Sequence, residues 1–163
     1  MKRPFTLPLL FLTAWFLTGC SEEKCECRIM NTGIEVAFQN SAGNDLLNPA
    51  TEGYLAKQDI NMFYEIKGKL RTHASLAPGA QLDNPEGFTL NSNGTQYLLN
   101  ISSNPTAGKE VVTILRIKNQ PDIRLVTTVN GDGGSRIEKI WYKDQLVWSN
   151  DMQTFPSVTV VLD

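Results

Sequence analysis

Residues 111–148 read VVTILRIKNQPDIRLVTTVNGDGGSRIEKIWYKDQLVW, and this stretch decides the fold. Val111 to Lys118, Ile123 to Val129, Arg136 to Tyr142 and Leu146 to Trp148 are short runs rich in β-branched and aromatic residues. Such side chains suit a pleated, half-buried surface. The glycine-rich segment Asn130 to Ser135 and the polar pair Lys143 and Asp144 separate successive runs. Connections this short favour hairpins, so the spacing predicts an antiparallel meander, which Val158 to Leu162 extends.

Toward the N-terminus the same alternation recurs more widely spaced. Ile34, Val36 and Phe38 share one face of a strand that Asn40 to Asp45 then stops, and Ile60, Met62, Tyr64 and Ile66 form a second such face. Tyr97, Leu99 and Ile101 form a third, each a half-buried strand by its period of two. Between Leu46 and Asp59 the pattern is ambiguous: Asn48 is able to cap a helix over 49–52, but Gly53 and the irregular spacing of Tyr54 and Leu55 oppose a long one. A loop with at most one helical turn is expected there. These elements predict an all-β chain, an antiparallel immunoglobulin-like β-sandwich of about 7–9 strands, with a small barrel as the alternative. Phe38, Tyr64, Phe88, Tyr97, Trp141 and Trp148 are the expected core or near-core aromatics, since no inter-sheet disulfide is in prospect and packing must carry the stability.

The first twenty residues are not fold. Lys2 and Arg3 precede an almost wholly apolar run from Phe5 to Leu17 that closes on Thr18, Gly19 and Cys20. About a dozen apolar residues fall short of the ~18–20 that a permanent helical span needs, so the segment reads as an export signal. Leu17 to Cys20 (LTGC) resembles the lipobox of bacterial lipoproteins. That resemblance implies cleavage before Cys20 and acylation of its thiol, with 1–19 the signal peptide, 20–32 a lipidated tether and 33–163 one β-sandwich domain. Two or three fatty chains, at about 0.8 kcal/mol per buried CH₂, anchor stably to a lipid bilayer. The expected location is the outer membrane, on its periplasmic or cell-surface side. Ser21, Glu22 and Glu23 are similar to the acidic surface-export signals of some Gram-negative lipoproteins. The stretches FQNSAGNDLLNP (38–49) and IWYKDQLVW (140–148) resemble small surface lipoproteins of unknown function, a likeness that implies no activity.

Removing residues 1–19 lowers Lys plus Arg from 15 to 13 against 17 acidic side chains, a net charge of −4. That balance excludes nucleic acid as an expected partner. Cys25 and Cys27 sit in the charged tether, two residues apart. In an extended chain their Cα atoms lie about 6.5–7 Å apart, at the limit of disulfide geometry. A strained disulfide, an intermolecular bridge, free thiols and half of a metal site all remain open. A zinc site of the usual kind needs a second ligand pair, and the only histidine is His73, so no metal or other cofactor is expected.

His73 has no motif partner: neither a Gly-x-Ser-x-Gly elbow nor a His-Glu-x-x-His helix is present, and no catalytic residue is assigned. Asn130 to Trp141 fails the EF-hand register, with Gly134 at the fifth position, Ser135 at the sixth and Trp141 at the twelfth. Asp45, within Gly43 to Leu47, likewise lacks the further oxygens that calcium requires. Both segments read as turns, and turns of a sandwich are where contacts are made. Asp45, Asn130 and Asp132 are therefore the expected contact residues, toward an unknown protein or glycan. The expected function is a non-enzymatic binding module; an enzyme or accessory subunit acting on extracellular polymer and a structural envelope component are the alternatives.

Overall fold

The computed structural model describes residues 32–76, 84–103, 109–130 and 136–162. Cys20, Cys25, Cys27 and Asp132 lie outside the described residues. The strands are β1 (Gly33–Asn40), β2 (Ile60–Ile66), β3 (Lys69–Thr72), β4 (Phe88–Ser92), β5 (Tyr97–Ser102), β6 (Glu110–Ile117), β7 (Ile123–Val129), β8 (Ile137–Tyr142), β9 (Gln145–Ser149) and β10 (Ser157–Leu162). One helical turn, α1 (His73–Leu76), follows β3, and single 3-10 turns cover Lys57–Asp59 and Asn150–Met152.

Two sheets form, in the orders β10-β1-β5-β4 and β3-β2-β6-β7-β8-β9. They do not close into a barrel, so the sandwich expectation holds and the barrel does not. Strands β1, β5 and β4 stand in the order B, E, D of an immunoglobulin domain, and β3, β2, β6, β7 in the order C′, C, F, G. The place beside B that strand A takes in those domains is filled by the C-terminal strand β10. It runs parallel to β1, with Val36 beside Val158 and Phe38 beside Val160. Every other pairing is antiparallel. Among the described residues, ten strands with one parallel pair thus replace the expected seven to nine antiparallel ones. The expected meander forms from β6 through β9, but Val158 to Leu162, expected to extend it, instead crosses to the other sheet as β10, since its alternating apolar face suits either partner.

Local sequence explains the joints. Lys67 and Gly68 between β2 and β3, and Lys143 and Asp144 between β8 and β9, all take positive φ. Two such residues in succession give the primed turn whose twist matches a two-residue hairpin. β3 and β4 carry no alternation in the sequence: all four residues of β3 are exposed, and β4 buries only Phe88 fully. Both are edge strands, held by pairing to β2 and β5 rather than by an apolar face.

The core lies between the sheets. Ile34, Val36 and Phe38 from β1 meet Met62 and Tyr64 from β2, Val111 and Leu115 from β6, Leu125 from β7 and Ile140 from β8. Each is nearly or wholly removed from solvent, and full burial of one such aliphatic or aromatic side chain contributes about 1.5–3 kcal/mol. Leu46 and Leu47 also reach the core from the turn after β1. Of the expected core aromatics, Phe38, Tyr64, Phe88 and Trp148 are buried, whereas Tyr97 and Trp141 are only half-buried. Trp141 pairs with Val126 of β7 and Leu146 of β9. All three stand on the outer face of the six-stranded sheet, because the neighbouring Leu125 and Ile140 point inward.

Strand direction sorts the loops to two ends. β1 runs from Gly33 to Asn40, and Asn40 is level with Leu162. With them gather the loop 41–59, the β4–β5 turn at 93–96, the β6–β7 turn at 118–122 and the β8–β9 turn at 143–144. The opposite end carries Thr32, the β2–β3 turn at 67–68, Ser103, Lys109 and the paired residues Asn130 and Arg136.

Candidate functional site

At the first of these ends a groove of about 520 Å³ opens between the β6–β7 turn, the β8–β9 turn and the end of β10. Its volume falls within the range of small-molecule sites. Trp141, Tyr142 and Val126 supply its apolar wall, and Gln120, Asp122, Arg124, Lys143 and Asp144 its polar lining. Why these meet follows from the register. Val126 and Trp141 are cross-strand partners, and the tight Lys143–Asp144 turn brings the chain back at once.

The β6–β7 turn is fixed by a fork. Arg116 donates from Nε to Asp122 Oδ1 at 2.9 Å and from Nη2 to Oδ2 at 2.8 Å. These bonds first, and the guanidinium charge with them, hold Asp122 below the ordinary carboxylate range. Being exposed, the pair adds little to stability, but it sets the turn's shape. Arg116 also lies 5.2 Å from the centroid of Phe63, and Lys143 Nζ lies 5.2 Å from that of Tyr142. Arg124 reaches Glu65 at 3.7 Å, a loose exposed pair.

No serine, threonine, cysteine or histidine lines this groove. Asp122, held ionised by the Arg116 fork, is unsuited to serve as a general acid. Among the described residues no group of three metal-ligating side chains forms. The groove offers an aromatic wall and a balanced set of charges. No family model, curated protein or solved structure matches the chain.

The expected contact residues do not converge. Asp45 lies at the groove end, but its carboxylate serves the backbone: Oδ1 accepts the Leu47 amide at 2.9 Å and Oδ2 the Tyr97 amide at 2.8 Å. It ties the turn after β1 to the start of β5. Asn130 lies at the opposite end, where its amide donates to the Arg136 carbonyl at 2.9 Å. Trp141 was expected in the core or near it, so the groove went unforeseen. A signal was there: adjacent aromatics in one strand cannot both face inward, so one of Trp141 and Tyr142 had to face out.

His73 opens α1, half-buried. The Tyr64 hydroxyl donates its one proton to the Ser102 carbonyl at 2.6 Å, so at 3.2 Å it accepts from His73 Nδ1. Burial pushes the Tyr64 phenol up to about 12. A raised folded pKa means that this contribution to stability is whole below the unfolded value near 10 and is lost as pH rises through about 12. The trio joins the two sheets.

Proposed function

We propose that the chain is a lipoprotein held to a membrane by acylated Cys20, whose domain 33–163 is a non-enzymatic binding module. The observation that carries this reading is the polarity of β1. The tether joins the domain at Gly33, and the groove lies at the other end, beside Asn40 and Leu162. A domain tethered at its Gly33 end turns the groove away from the bilayer, toward whatever it meets. Among the described residues no helix is long and apolar enough to cross a membrane, and the apolar run that precedes Cys20 is cut off by processing in this reading. Loops equivalent in position to those between B and C, D and E, and F and G gather at the same end, the end at which immunoglobulin variable domains bind.

The test is Cys20→Ala. The variant is expected to accumulate as unprocessed precursor or to leave the membrane fraction as a soluble chain. A mature-length chain without acyl groups that still sediments with membranes contradicts the anchoring.

A further inference from the structure

We propose that the groove is a subsite for a neutral glycan, with Trp141 as the platform on which a sugar ring lies. This rests on the binding function proposed above and names the class of its ligand.

The floor is aromatic. Trp141 is half-buried, seated between Val126 and Leu146 by strand register. It stands on the outer face of its sheet, partly exposed, and lines the groove. The face of an indole carries negative quadrupolar charge, and the axial C–H bonds of a pyranose present weakly positive hydrogens in one flat patch. The two surfaces match in shape and in charge.

The rim is polar but has no net charge. Asp122 and Asp144 stand against Arg124 and Lys143, so no potential selects a polyanion or a polycation, and the chain as a whole carries a charge of −2. What such a rim offers is directional: carboxylate oxygens that accept from hydroxyls, and guanidinium and ammonium groups that donate to them. Asp122 is already oriented by its fork to Arg116, and the Arg124 to Glu65 contact at 3.7 Å is loose enough to yield. A sugar hydroxyl is donor and acceptor at once and bridges these pairs, as no lipid chain does. A lipid chain also calls for an enclosed apolar cavity, whereas this groove is rimmed by four charged groups. An extended peptide added as a strand calls for a free backbone edge. β7 and β8, which carry the floor, have none, since β7 is paired to β6 and β8, and β8 to β7 and β9; the edge strand β10 contributes only its last residues Val161 and Leu162 to the groove, too short a stretch for strand pairing.

The experiment is affinity electrophoresis of the full chain through gels that contain an α-glucan, a β-glucan, a mannan, a xylan or, as the anionic control, a polygalacturonate. At least one neutral polymer is expected to retard the chain, with retardation insensitive to salt because no ion pair is formed. Trp141→Ala should weaken that binding by about tenfold or more, as loss of a central aromatic anchor does. Trp141→Phe, which keeps an aromatic face, should retain most of it. Phe155→Ala, at an exposed site at the opposite end, should change nothing. Circular dichroism of Trp141→Ala should match the parent, which separates lost contact from lost fold. Retardation by no neutral polymer, retardation by polygalacturonate alone, or binding unaltered in Trp141→Ala each overturns the inference. If no polymer binds while a photo-cross-linker at Lys143 traps a protein on intact cells in a Trp141-dependent way, the glycan is wrong and the binding function stands. If instead glycan binds and Cys20→Ala still sediments without acyl groups, the anchoring falls and the subsite stands.

Discussion

Gly87→Ala should cost the domain about 2–4 kcal/mol, the sum of a left-handed backbone imposed on an L-residue and of overpacking. Gly87 has φ +79°, and a methyl group there would meet Cβ and Cγ of His73, each at 2.8 Å, as well as the end of Met62. Met62 has some freedom to swing. His73 has little, because its ring is held to Tyr64, and Tyr64 to Ser102. The loop cannot simply retreat either, since the Gly87 amide donates to Asn84 and its carbonyl accepts from Ser102. For a domain of this size the melting temperature should fall by roughly 6–15 °C. Gly94→Ala supplies the comparison: its φ is +90° with open space around it, so it carries the backbone cost alone and should fall by less. A shift under about 2 °C for Gly87→Ala would show that the Tyr64–His73 trio is not the rigid joint described above.

Asp45→Ala is the second large effect, about 2–4 kcal/mol, because two charge-assisted bonds disappear and two amides lose their acceptor. Both carboxylate oxygens are in use, one on the Leu47 amide within the turn and one on the Tyr97 amide across 52 positions of sequence. Asp45→Asn has a single acceptor oxygen and should fall between parent and alanine variant in denaturant midpoint. Leu46 and Leu47, buried directly after Asp45, would then be less firmly placed, so the loss should be cooperative with the core. A stability change under about 0.5 kcal/mol, as for an ordinary surface site, would mean that the two hydrogen bonds contribute nothing.

How much of this was legible depends on the kind of residue. Alternation read β1, β2, β5, β7 and β10, and runs of β-branched and aromatic residues β6, β8 and β9, since Ile34, Val36 and Phe38, or Ile123 and Leu125, must share a face if they are to be buried. Alternation is silent about edges, and so β3, with four exposed residues, went unread. Nor does it carry direction: nothing in SVTVVL distinguishes a parallel partner of β1 from an antiparallel one. The Gly43 to Leu47 segment announced a turn, but a sequence does not show that Asp45 looks across to Tyr97. The groove lay in plain view as the Trp141–Tyr142 doublet, yet the choice of which ring faces out is made by register with Val126 and Leu125. The Tyr64–His73–Ser102 trio had no signal at all, because its members come together only when the sheets do.

A groove that serves as a binding site must face away from the membrane. The most direct measurement places a donor dye at Gln145→Cys, beside the groove, or at Lys69→Cys, at the opposite end, both exposed. The chain is the acylated one with Cys25 and Cys27 replaced by serine, bound to vesicles that carry an energy-transfer acceptor on the lipid headgroups. Seven-residue strands set the two ends about 20–25 Å apart. Transfer should be clearly stronger from Lys69→Cys than from Gln145→Cys; equal transfer, or stronger transfer from Gln145→Cys, would contradict a groove held away from the membrane.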